Sequence, residues 1–285
     1  MHVPQFRISR RSVTIATALA GVLSLVIGAH AALNMRALDA AKAIATEQDG
    51  LAAKHSSRIA LVIGNGHYPD ASAPLAQPIN DARALTASLR RDGFDVDVVE
   101  DASKDDMSRA VARLKSRIRP DSVVMLFFGG YGVQAGRESY MLPVDAAIWK
   151  EADVRRDGVS VESVLDVMKE RGARAKLVVI DASRRNPYER RFRAFSHGLA
   201  PISAPDNALI LSSATPGQVA DDSSAQNSVL MAELLNNLNA ETGIESSFNK
   251  TRVAISRASD GVQIPSVSSS LTEDLHFGSI ENAGG

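Results

Sequence analysis

Three short segments carry residue types suited to nucleophilic or acid–base chemistry: Gly64-Asn65-Gly66-His67-Tyr68, Gly129-Gly130-Tyr131-Gly132 and Asp181-Ala182-Ser183-Arg184-Arg185-Asn186-Pro187. The Ser183 hydroxyl can attack an electrophile only if a neighbouring base takes its proton. His67 and His197 are the two loop imidazoles placed to be considered for that task. Each segment also has a plainer reading, since Gly, Asn and Pro turn chains. All three follow an apolar run, and three such turns around one sheet edge point to a cleft.

Other chemistries are excluded by pattern. Gly64-Asn65-Gly66 lacks the third glycine of a dinucleotide fingerprint, and no Gly-Lys-Ser/Thr element follows to cradle phosphate. Ser183 is not in a Gly-x-Ser-x-Gly elbow. The six histidines show no metal-ligand spacing, and the chain has no cysteine, so thiolate nucleophiles, thiolate metal sites and disulfides are ruled out. No cofactor and no metal is expected.

The elements that must hold these turns alternate in type. Apolar β-type runs are predicted at Arg58–Ile63, Phe94–Val99, Val123–Phe128, Lys176–Ile180 and Ala208–Leu211. Helical spacing is predicted at Pro78–Arg91, Asp105–Ile118, Val161–Glu170, Val229–Leu238 and Phe248–Ser256. Strands alternating with helices imply βαβ units and a mainly parallel sheet covered on both faces. The Ser-rich segments Asp222–Ser228 and Ser266–Ser270 read as loops.

The 285 residues, 45% hydrophobic and 23% charged with net charge -1, suit one large α/β domain with short extensions. That balance gives no reason to expect nucleic acid as a partner. At the N-terminus, Arg7, Arg10 and Arg11 precede an uncharged apolar run, Val13 to Ala29, and then Ala29-His30-Ala31. This order is that of a secretory signal; the alternative is an uncleaved anchor through residues 13–29, though the run is slightly short of the ~20 residues a span needs. Both place the remainder in the periplasm or otherwise outside the cytoplasm. The expected organisation is 1–31 signal or anchor, 32–57 helix-prone connector, 58–280 globular domain and 281–285 tail.

A longer ordered pattern resembles a known family. Gly64-Asn65-x-x-Tyr68, Asn80-Asp81-Ala82, Gly93-Phe94-x-Val96 and Tyr140-x-Leu142-Pro143-Val144-Asp145-Ala146 are similar to bacterial caspase-like peptidases, the metacaspase relatives called orthocaspases. So are Ile180-Asp181-Ala182, Asn186-Pro187, Gly198-Leu199-Ala200-Pro201 and the run from Ala214 to Ala220. The resemblance runs from about Arg58 to Phe277 and implies a caspase-like three-layer α/β/α sandwich. It also implies a cysteine-type endopeptidase dyad whose histidine position is Tyr131 and whose cysteine position is Ser183. Both have changed here.

The pair as it stands is a poor catalyst by chemical argument. Phenol, with a reference pKa of ~10, is protonated near pH 7 and is expected to donate a hydrogen bond to Ser183 rather than to activate it. Loss of an activated nucleophile leaves about 10³–10⁴-fold over water. The expectation is therefore a pseudo-peptidase; the alternative is an active serine-type endopeptidase with a replacement base such as His67 or His197. The resemblance further implies that Asp81 and Asp181 line a pocket for Arg or Lys, since paired carboxylates suit a guanidinium. Their plainer readings are a helix-start residue for Asp81 and a turn cap for Asp181. The expected partner is a basic peptide segment or an envelope protein. The basic run Arg184, Arg185, Arg190, Arg191, Arg193 reads as a solvated loop.

Overall fold

The structure, a computed structural model, describes residues 57–69, 74–185, 188, 198–220, 225–238 and 242–277. The N-terminal segment, the connector up to residue 56, His197, Arg190, Arg191, Arg193 and the tail lie outside the described residues.

Nine strands and six helices are formed within them. The strands are β1 (Arg58–Gly64), β2 (Asp95–Glu100), β3 (Val123–Gly129), β4 (Gly132–Ala135), β5 (Glu138–Met141), β6 (Val159–Ser160), β7 (Ala175–Asp181), β8 (Ala208–Ser212) and β9 (Ser266–Ser269). The helices are α1 (Gln77–Arg91), α2 (Lys104–Arg117), α3 (Glu151–Asp157), α4 (Val161–Glu170), α5 (Val229–Asn237) and α6 (Ile244–Ala258). The main sheet has the order β2-β1-β3-β7-β8-β9, parallel except for β9.

Period-two alternation divides the core. Ile59, Leu61 and Ile63 of β1, with Val124, Leu126 and Phe128 of β3, face a layer containing Met107 and Leu114 of α2 and Leu165 and Met168 of α4. Ala60, Val62, Met125 and Phe127 face the opposite layer of Leu85 and Leu89 (α1), Leu230 and Leu234 (α5) and Phe248 and Ile255 (α6). Near-continuous apolar strands follow directly from burial on both faces. Serine caps begin three of the helices: Ser103 accepts from Asp106 in a capping box, Ser160 from Ser163, and Ser228 from Met231.

The predicted strands and helices of the main layers all form, with ends shifted by a residue or a few. The expectation fails at Ser266–Ser270, read as a loop. Residues 266–269 form β9, because pairing with Leu209–Ser212 of β8 supplies the ladder that a Ser-rich run does not advertise. The small antiparallel sheet β4-β5-β6 and the helix α3 were not foreseen either. They cover a third apolar cluster that includes Tyr68, Val133, Leu142, Ile148 and Tyr188.

Candidate active site

The parallel register brings Gly64, Gly129 and Asp181 side by side, so the three chemistry-bearing turns leave one edge of the sheet together. Close backbone approach demands glycine here. A Cβ at Gly130 would lie 2.5 Å from the Tyr68 hydroxyl, and one at Gly132 would lie 2.9 Å from the Ala182 Cβ. Asn65, fully buried, ties the β1 turn to its neighbours: its side-chain oxygen accepts from the Ala102 N–H at 2.8 Å, and its amide donates to the Leu142 carbonyl at 3.1 Å.

Tyr131 follows β3. Its ring packs edge-on against Tyr68, centroids 4.8 Å apart, and its N–H donates to the Tyr68 hydroxyl, which donates in turn to the Leu142 carbonyl. Burial pushes the Tyr68 phenol well above its ordinary pKa, so it stays a neutral donor.

Ser183 lies two residues past the end of β7, and only 1% of it is exposed. Its hydroxyl has no hydrogen-bond partner among the described residues, which corrects the expectation that Tyr131 would donate to it. Its main chain is firmly held: the N–H donates to the Ser213 hydroxyl at 3.3 Å, and the carbonyl accepts from Ala220 at 2.6 Å. The nearby N–H groups of Gly130 and Gly132 donate to the Asp181 and Ala182 carbonyls, so these too are engaged rather than turned toward a developing oxyanion.

His67, considered as a replacement base, bonds to Asp101 and not to Ser183. Its Nδ1 sits 2.6 Å from the Asp101 carboxylate, its side chain is 70% exposed, and Asp101 also accepts the N–H groups of Gly66 and His67. Asp101 follows β2, three strand spacings or about 14 Å from β7, so the imidazole is held away from Ser183. The contacts holding Asp101 keep its carboxyl below the usual carboxylate range against the opposing effect of burial.

Asp81 and Asp181 are brought together. Asp81, fully buried, accepts from the Asn227 amide at 2.8 Å and from the Ser228 N–H at 3.0 Å. It lies beyond the first turn of α1, so it is not a helix-start residue. Burial, and next the charge of Asp181, raise its pKa to about 6. Asp181, 3% exposed, has one oxygen 3.6 Å from the Arg184 Nη1 and the other without a partner.

Arg184 departs most from expectation. It is 5% exposed, not solvated, and Nη1 donates to the Gly130 carbonyl at 2.9 Å and to the Asp181 carbonyl. It thereby links the ends of β3 and β7. Arg185 is exposed as anticipated. The cue for burying Arg184 was its place directly after a fully buried strand and turn.

A sheet layered between helices, with the turns after β1, β3 and β7 gathered at its carboxyl edge, defines a caspase-like α/β/α protein. Caspase-1 from Spodoptera frugiperda superimposes with a TM-score of 0.59 at 16% identity, covering 80% of this chain and 92% of that one. A family model described as caspase domain matches residues 57–276, and the chain belongs to that family. Human mucosa-associated lymphoid tissue lymphoma translocation protein 1 is 28% identical over 133 residues, and its mouse homolog 29% over 133. Each match covers 46% of this chain but 16% of the relative's length.

Proposed function

We propose that the protein is a catalytically silent member of the caspase family, a pseudo-peptidase whose cleft binds Arg- or Lys-containing peptide segments or holds a partner in the bacterial envelope. The observation that carries the loss of catalysis is the buried Ser183 hydroxyl with no described group to take its proton. A serine nucleophile without a base does not turn over at a useful rate. No imidazole bonds to it among the described residues, and His197 lies outside them.

Support for binding comes from charge. Two buried carboxylates, Asp81 and Asp181, repel each other; Asp181 has one oxygen 3.6 Å from the Arg184 guanidinium and the other without a partner. A second cation would complete the set. Because both carboxylates are enclosed, the turn carrying Asn227 and Ser228 must part to admit a side chain, and the expected affinity is weak.

The test uses the full chain with fluorogenic peptides carrying Arg or Lys before the reporter. The expected result is no turnover above the Ser183→Ala variant; turnover that disappears in that variant would overturn the reading. Titration with Arg peptides should show an affinity at least ~10-fold lower in Asp81→Ala, and equal affinity would remove the pocket from the proposal.

A further inference from the structure

The two ends of the main sheet differ in charge. Asp81, Asp101 and Asp181 stand at the carboxyl edge, whereas α1, α2 and α4 end at the amino edge, since crossover helices run back against parallel strands. Arg90 and Arg91 close α1, Arg119 follows α2, and Arg171 caps α4. All four are exposed, and none enters an ion pair among the described residues. The dipole at a helix C-terminus favours a cation, which accounts for Arg90, Arg91 and Arg171 one at a time. It does not account for their gathering at one edge, with Arg119 added beyond the end of α2.

Packing joins these turns. A Cβ at Gly172 would lie 3.9 Å from the Pro120 Cα, and the Arg174 N–H donates to the Ser122 carbonyl at 2.9 Å, so the Arg119 and Arg171 turns abut. Most carboxylates of this edge are committed: Asp95 to Arg117, Glu170 to Lys115, Asp206 to Lys169 and Glu273 to Arg174. Asp92 is offset by Arg58 and Arg91, which leaves Asp121 against the surplus. Burial lowers the Arg58 guanidinium from its ordinary pKa against the pull of Asp92, and the charge of Arg174 lowers it further. Cations press on one another here.

The chain also enters the domain at this edge. Ser57 leads into β1 with its hydroxyl 2.6 Å from that of Ser122, and upstream in the sequence come the uncharged run 13–29 and Arg7, Arg10 and Arg11. We infer that the amino edge around β1, β3 and β7 rests on an anionic phospholipid surface, with Arg90, Arg91, Arg119 and Arg171 on the lipid phosphates. Of the two fates expected for residues 13–29, the inference takes the anchor: residues 30–56 then keep the entry point of β1 within reach of the surface. Each arginine near an anionic surface adds to binding, and the basic edge adds a second signal to an apolar run slightly short of a span. The carboxyl edge, with Asp81 and Asp181, then faces away from the lipid. What that pair binds has no bearing on the contact.

The test adds the full chain to vesicles of phosphatidylcholine alone or mixed with phosphatidylglycerol and follows hydrogen exchange. Exchange across residues 117–122 and 170–175 should slow on the mixed vesicles only. The slowing should fade in about 1 M salt, where the Debye length falls to ~3 Å. Arg119→Glu with Arg171→Glu, both exposed, should lower the preference for mixed over neutral vesicles in cosedimentation by ~10-fold or more. Arg252→Glu with Arg257→Glu makes the same charge change on exposed positions in the later half of α6, a helix that begins at the amino edge beside Leu275. That pair should lower the preference ~3-fold at most. Equal slowing on neutral vesicles, slowing that salt does not touch, or equal losses in the two double variants would overturn the proposal. So would stronger protection of the same residues by heparin than by the mixed vesicles, since a soluble polyanion would then fit better. Absence of binding to neutral vesicles would instead count against the anchor, leaving the charge preference to be read on its own.

Discussion

The two halves of the cleft differ in how completely their polar groups are satisfied. Around Tyr131 and Ser183 the backbone is densely bonded, while the hydroxyl that would react is buried and unpartnered. Around Asp81, Asp181 and Arg184 the side chains themselves are engaged, yet one carboxylate oxygen of Asp181 is left without a partner. Among the described residues, the first half gives the Ser183 hydroxyl no proton acceptor. The second, on the reading proposed above, is an electrostatic site that a further cation would complete. On the proposed reading, chemistry and recognition have been separated within a few residues of β7.

The strongest way to break that comparison is to supply the missing chemistry. Tyr131→His combined with Ser183→Cys should raise cleavage of Arg or Lys reporter peptides by ~10³-fold or more over the unmodified chain, measured as kcat/KM. Continued silence would mean that burial of position 183, not residue identity, prevents reaction. The next effect concerns Arg184. Arg184→Met removes the cation beside buried Asp181 and one donor from each of the Gly130 and Asp181 carbonyls, and should lower unfolding stability by about 3–5 kcal/mol in a denaturant titration. Adding Asp181→Asn should recover part of the loss, since the uncompensated charge is then gone. A loss under about 1 kcal/mol would place Arg184 with ordinary surface residues.

The main layers were legible in the sequence because strands such as Val123–Gly129, buried on both faces, must be apolar throughout, and helices such as Val161–Glu170 must repeat their apolar positions. β9 was not, because its strand character comes from its partner rather than from its own residues. The hairpin β4–β5 is short and polar in part, and tertiary contact again decides it. At the site, turn composition located Tyr131 and Ser183 at one edge, and the family resemblance assigned their roles. What composition could not show is direction: whether His67 turns toward β7 or toward Asp101, and whether Arg184 points out or in. Those outcomes rest on backbone carbonyls and carboxylates distant in sequence. Asn65 and Ser213 were missed as positioning groups for the same reason, their partners being main-chain atoms of other turns.

A smaller effect sharpens the comparison by measuring the charge of Asp81 itself. Asp81 has a pKa near 6 in the folded protein against ~3.9 in the unfolded chain. Between those values the folded state binds more protons, so stability must fall as pH rises through about 4 to 6, the opposite of a salt-bridged carboxylate. Two units correspond to ~3 kcal/mol at most. Asp81→Asn keeps an oxygen for Asn227 and Ser228 and removes the charge beside Asp181. It should therefore stabilise the protein by about 1–2 kcal/mol at pH 7, and the gain should vanish near pH 4, where Asp81 is already protonated. The same ionisation should make binding of Arg peptides strengthen from pH 5 to pH 7. A stability profile unchanged by Asp81→Asn across that range would show that the charge is already compensated, and the two halves of the cleft would then be equally complete.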